Sequence, residues 1–465
     1  LLASCGDSSN DQVAEGGIGG TGVSQGKVSG FGSIFVNGVE FDTDTADFVI
    51  EEDEDSPYTQ DNIKLGMVVQ VTGEHDDVSG TATKVEYSDQ LEGIISAPPL
   101  QLDADGVGTL EVMQQTVHVD QTTVFDDDTN QGLLITDLAE NDVVEVSGYS
   151  DGAGTIYATR IELISQGWEG DALEIKGVVS DLDSTNSTFM IGSLEIDYSN
   201  ATPLPDNLAD GLYVEVKGDS FSATGQFEAD EVELEGDGDL QVADDDEEVE
   251  LEGVVTSPLL DNIFSLNGQP VSIADITVDE TAITEGRELK AEGVMVDGII
   301  EATEIEFEAD ESELQEIASI MEADADVVDI NTGTIILLGQ TISVTSSTIM
   351  EDDLVDDQTF NLAEILTDQY VKVDIYDDGD KGLIAVKLER ESVPDSLVHE
   401  IEGLVEEINV DSISTQILVL GVLIDISAPG IVIDPIVGER VKISGEVYDG
   451  TILVATSAEI EKPDD

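Results

Sequence analysis

Apolar and polar residues alternate with period two along most of the chain. Runs such as Phe264-Ser265-Leu266 and Val271-Ser272-Ile273 place every second side chain on one face, which predicts short strands with one buried side. The pattern recurs. A Val-x-Val-x-Gly string stands at 65–73 (LGMVVQVTG), 141–148 (NDVVEVSG), 210–218 (DGLYVEVKG), 286–293 (GRELKAEG) and 438–445 (GERVKISG), with a degenerate copy at 369–375 (QYVKVDI). Each is followed by a second string ending in glutamate: Glu86, Glu162, Glu233, Glu306, Glu389 and Glu459. Asp151-Gly152, Asp297-Gly298, Asp378-Gly379 and Asp449-Gly450 lie between the two strings, so each repeat closes with a β-hairpin.

The opening half of each repeat is also β. Leu91-Glu92-Gly93-Ile94, Ile175-Lys176-Gly177-Val178, Leu251-Glu252-Gly253-Val254 and Ile401-Glu402-Gly403-Leu404 share one frame, and turns follow at Gly192, Gly268, Gly339 and Gly421. The fifth copy lacks the marker glycine, with its position expected around Val327 and Val328. Five or six short strands per unit bury one face most economically by curling into a barrel. The expected fold is all-β, a tandem array of small OB-like β-barrels, with small open β-sandwiches as the alternative.

The repeats are expected at 25–88, 91–164, 173–235, 249–308, 325–391 and 399–462. Leu314, Ile317, Ala318 and Met321 recur at helical spacing, so 309–324 reads as an acidic linker with a short amphipathic helix. Trp168, between the second and third repeats, is expected to anchor one barrel on the next.

Charge changes the picture. With 105 acidic and 15 basic residues the formal net charge is −90, which repels nucleic acid and anionic lipid headgroups. In an alternating strand the acids belong on outward positions, where the six recurrent glutamates are expected to be solvated. Such a surface suits a salty extracellular setting. No stretch approaches the ~18 apolar residues that a spanning helix needs.

The single cysteine lies in Leu2-Ala3-Ser4-Cys5, which resembles a bacterial lipobox. By that resemblance 1–5 is a signal remnant, Cys5 is acylated and inserts in the bilayer, and 6–24, rich in Gly, Ser and Asp, is a flexible tether. Gly6 and Asp7 place the aspartate one position too late for inner-membrane retention, which favours an outer-membrane lipoprotein facing periplasm or exterior.

The stretch 30–41 (GFGSIFVNGVEF) resembles the opening of the bacterial domain of unknown function 5666, and the later strings are similar to its second half. The resemblance implies secreted or lipid-anchored tandem β domains and carries over no catalytic residue.

Candidate chemistry is sparse. His75, His118 and His399 lie in three different repeats, and His75, beside Asp76 and Asp77, reads as a solvated turn residue. No Gly-x-Ser-x-Gly elbow or phosphate-cradling loop is present. Oxygen-rich loops suit Ca²⁺: Asp103 and Asp105, Asp126 and Asp128, and Asp374, Asp378 and Asp380 are the metal candidates. Diffuse, weak cation condensation is the preferred reading over structural calcium, and no cofactor is expected. Non-enzymatic classes remain: a structural or adhesive envelope array, or a binding module for divalent cations, glycans or a basic protein.

Overall fold

A computed structural model describes residues 21–31, 33–50, 58–76, 78–96, 100–102, 107–129, 131–235, 243–309, 314–321, 327–330, 332–352, 354, 360–378, 381–393, 399–410, 415–428, 431 and 433–460. Repeat one shows the common plan: β1 (Thr21–Phe31), β2 (Ile34–Val36), β3 (Val39–Asp42), β4 (Asp47–Ile50), β5 (Val68–His75) and β6 (Ser79–Tyr87). The end of β1 pairs with β2, β2 with β3, β3 runs parallel to β6, β6 pairs with β5, and β5 returns to the start of β1. That ring is a closed five-stranded Greek-key barrel of the OB type, and β4 lies along β6 outside it. Val28, Ile34, Val36, Phe41, Val69, Val71 and Val85 fill it.

Repeats four and six close by the same ladder, with Glu248–Leu260 and His399–Val410 as counterparts of β1. The other three have interrupted rings. Repeat two crosses its gap by a single bridge, Ile95 to Val112; repeat three divides between two sheets; repeat five has Gln315–Ile320 and Val327–Asp329 in place of one first strand. The OB-like barrel is therefore closed in three repeats and laddered incompletely in the rest.

The glycine of the Val-x-Val-x-Gly string has a steric cause. A Cβ on Gly148 would stand 2.1 Å from the Tyr157 carbonyl oxygen, and one on Gly73 would stand 2.3 Å from that of Thr81. Both sit at register shifts, so the bare backbone lets the last two strands bulge and bend around the barrel.

Barrels join in pairs through their first strands. β1 runs parallel to Glu248–Leu260 of repeat four, with Val23 opposite Val249. Leu91–Ile94 of repeat two lies antiparallel to Leu173–Val178 of repeat three, and Gln315–Ile320 of repeat five to His399–Val410 of repeat six. The two antiparallel seams merge cores, since Leu91 and Ile175 belong to one cluster and Ile317 and Ile401 to another. The parallel seam keeps its cores apart. Ser24 lies opposite both Val71, inside barrel one, and Glu250, on barrel four's outer face. Pairs then meet through Leu65, Val124 and Ile349, from repeats one, two and five, and through Val68, Tyr149 and Val254, from repeats one, two and four.

The helix expected within 309–324 is instead this strand of repeat five. Residues 314, 317, 318, 319 and 321 are all buried because Gln315–Ile320 lies between two strands and beneath a covered outer face. Ser319, opposite Val371, occupies the position of the marker glycine, as Gly93 does opposite Val144. The lost glycine is thus at 319 rather than near Val327.

Candidate functional site

Outward positions on the paired first strands and their neighbours carry charge, and pairing two barrels covers it. In the seam of repeats two and three, Lys176 Nζ is 3.2 Å from Asp89 and 3.2 Å from Glu215 and also pairs with Glu174. Lys217 reaches Glu174 at 3.0 Å and Glu215 at 3.2 Å. Burial and a hydrogen bond to Glu174 push Glu215 up to about 8. Burial also acts to raise Glu174, but that hydrogen bond and the two ammonium groups hold it at about 2. The two carboxyls therefore share one proton at neutral pH.

The seam of repeats one and four repeats the design. Lys27 Nζ is 2.9 Å from Glu252 and 2.5 Å from Glu288, and burial pushes Glu288 up to about 8. Glu250 accepts from Ser24 at 2.8 Å and lies 3.3 Å from Lys290. At the seam of repeats five and six, Lys372 lies 3.7 Å from Glu316 of the seam strand and 3.0 Å from Glu389, which Lys387 also holds at 3.1 Å, and Lys442 holds Glu402 of the other seam strand at 3.0 Å. Burial raises Asp374 to about 7, and its Oδ2 has no hydrogen-bond partner among the described residues. Sequence reasoning missed these seams. Their signal was the scarce lysines at outward strand positions, such as Lys217, Lys290, Lys372 and Lys442 in the Val-x-Val-x-Gly strings.

The metal candidates among the described residues, Asp126, Asp128, Asp374 and Asp378, have separate surroundings. Asp126 pairs with Arg160 at 2.5 Å, and Asp128 lies just past that strand. Asp374 is buried in its strand, whereas Asp378 caps a turn by accepting from the Lys381 backbone N–H at 2.8 Å. Cys5, Asp103, Asp105 and Asp380 lie outside the described residues. Among the described residues no group of three or more His, Cys, Asp or Glu side chains is arranged to hold a metal ion.

His75 is not a solvated turn residue. It ends β5 with its ring buried, edge-on to Phe41 at 5.2 Å, and its Nε2 is 3.9 Å from Glu250 across the seam. His118 stacks on Tyr157 at 4.8 Å, and burial lowers its pKa. His399 Nδ1 is 2.9 Å from Ser319 Oγ, and both are buried in the seam. Of the six recurrent glutamates, Glu233, Glu306 and Glu459 are exposed, Glu86 and Glu162 are half-buried, and Glu389 is buried by its lysines. Trp168 packs edge-on to Phe221 of repeat three at 5.9 Å, and its backbone N–H donates to the Asn141 carbonyl of repeat two at 2.9 Å.

One large cleft, about 880 Å³, opens where repeats one, two and five meet. Val124–Asp127 and Ile349–Asp352 border it, each laddered on one side only among the described residues. Phe31, Phe125 and Ile135 supply apolar wall, and Asp61 and Asp127 supply acidic rim. Among the described residues no helix is long and apolar enough to cross a membrane.

No curated protein matches the chain. Among solved structures, one titled "drosophila Unr CSD456" is 13% identical, covering 47% of this chain and 97% of that one, with a TM-score of 0.12, too low to bear on the fold. A family model described as "Domain of unknown function (DUF5666)" matches residues 23–86, 92–162, 176–233, 252–306 and 326–389, five tandem stretches that together exceed half of the chain. The chain belongs to the DUF5666 family, as a tandem array of its domains.

Proposed function

We propose that this chain is a non-enzymatic scaffold of the bacterial cell envelope, held at the membrane by an acylated Cys5 and acting as a structural or adhesive body. The observation that carries the reading is where the charge goes. Several of the few lysines are spent at the seams between barrels, as at Lys27, Lys176 and Lys290, and carboxylates far outnumber the bases left outside them. An acidic body with internally cross-braced barrels suits a salty surface, repels nucleic acid and resists clumping. The histidines support a non-catalytic role, since His75 and His399 are spent on packing and buried contacts.

The test is made in a bacterial host. Radiolabelled palmitate incorporation that is lost in Cys5→Ser supports the anchor. Deletion of the gene that changes adhesion or envelope integrity, without capture of a stoichiometric ligand, supports the structural array. Unchanged adhesion and integrity contradict it. The second reading, a binding module, is favoured by the cleft between repeats one, two and five.

A further inference from the structure

We propose that the cleft where repeats one, two and five meet is a docking site for an extended segment of a partner protein in which apolar residues alternate with lysine or arginine. The inference goes beyond the scaffold reading and stands on different observations. Two strands, Val124–Asp127 and Ile349–Asp352, border the cleft, and among the described residues each carries a ladder on one side only. An unladdered strand edge offers backbone N–H and C=O groups to an added strand, whose side chains then alternate between wall and rim.

The side chains specify the occupant. Leu134, 66% exposed, stands at the mouth, and Phe31, Phe125 and Ile135 are only partly buried. Six carboxylates line the cleft against three bases. Arg160 lies 2.5 Å from Asp126 and 2.8 Å from Glu162, and Lys387 lies 2.7 Å from Glu351. Asp61 is exposed on the rim, and Asp127 accepts from the Leu133 backbone N–H at 3.0 Å, an arrangement that favours its ionised form. A free metal ion uses none of the apolar wall. A polyanion meets a chain of net charge −90. A basic, apolar-alternating strand matches edge, wall and rim together.

The test uses the full chain and a labelled synthetic peptide alternating lysine and valine, followed by fluorescence anisotropy at physiological salt. A block peptide of the same composition, with lysines first and valines after, measures nonspecific attraction. The alternating peptide binds saturably and about tenfold more tightly than the block peptide. The double variant Asp61→Ser/Leu134→Ser, both positions exposed, weakens it by about tenfold. Leu260→Ser, 74% exposed on repeat four, leaves it unchanged. Absence of saturable binding, equal affinity for the two peptides, or equal affinity of the double variant and the parent overturns the proposal.

Discussion

Lys27 Nζ stands 2.5 Å from the Glu288 carboxyl group, although 261 positions and two whole barrels separate them in the chain. The contact exists because β1 of repeat one is laddered in parallel to Glu248–Leu260 of repeat four. The repeats therefore pair by first strands, one with four, two with three and five with six. A simple string of beads has no such contact.

Removing one member of a buried ion pair leaves its partner desolvated and unpaired. Lys27→Met leaves the Glu252 carboxylate unpaired and takes from Glu288 its hydrogen-bond partner, and a loss of about 3 kcal/mol is expected. Urea unfolding followed by circular dichroism measures it. Adding Glu288→Met to Lys27→Met returns part of the loss, whereas full additivity of the two substitutions contradicts the pairing.

Buried carboxyls with raised pKa give the protein a pH dependence of definite sign. Glu215 and Glu288, at about 8, and Asp374, at about 7, hold protons in the folded state that they release on unfolding at any pH between their ordinary values near 4 and these raised ones. Stability from these groups is complete below pH 4 and is lost as pH rises through 7 to 8. Glu174 and Glu389, at about 2, act oppositely, losing their contribution only as pH falls from about 4 toward 2. Denaturant midpoints are expected to fall between pH 5.5 and pH 8.5. Glu215→Gln with Glu288→Gln flattens that slope, and an unchanged slope in the double variant contradicts the assignment.

Salt acts on the exterior more than on the seams. The Debye length shrinks from about 30 Å at 0.01 M to about 3 Å at 1 M, which quenches repulsion among exposed carboxylates and leaves buried pairs largely unscreened. Calorimetry is expected to show a higher Tm in 1 M NaCl than in 0.01 M. A flat or falling Tm means that the seam pairs, rather than surface repulsion, dominate the response.

The bulge glycines distinguish steric need from mere turn preference. Gly148→Ala drives a methyl to 2.1 Å from the Tyr157 carbonyl oxygen and is expected to cost about 3 kcal/mol. Gly211→Ala, at φ +93° with open space around it, is expected to cost about 1 kcal/mol. Parallel urea melts compare them, and equal losses contradict the close-approach account.

Much of the fold was legible because it is local. Alternation, Asp-Gly turns and the recurrent glycines reveal the strands and hairpins of each repeat, and Asp449 accepts from the Thr451 and Ile452 backbone N–H groups at 2.9 and 2.8 Å as such a turn requires. The first strand of repeat five was misread because Ile317, Ala318 and Ser319 are all buried. A strand covered on both faces loses its period-two signature, and what remains imitates a helix. The seams were not legible, since the pairing of Lys27 with Glu288 depends on which barrel docks on which. The cleft was invisible for the same reason: Asp61, Leu134 and Glu351 come from three repeats.

The pairing of repeat one with repeat four is tested most directly by a disulfide. Gly22 and Glu248 lie opposite one another in the parallel ladder, so Gly22→Cys with Glu248→Cys, in a Cys5→Ser background, places two thiols on adjacent strands. Peptide mapping of the oxidised protein is expected to recover the Gly22→Cys peptide linked to the Glu248→Cys peptide, and the control pair Gly22→Cys with Glu174→Cys of repeat three is expected to stay reduced. No link between the first pair, or an equal link in the control, contradicts the paired-barrel architecture.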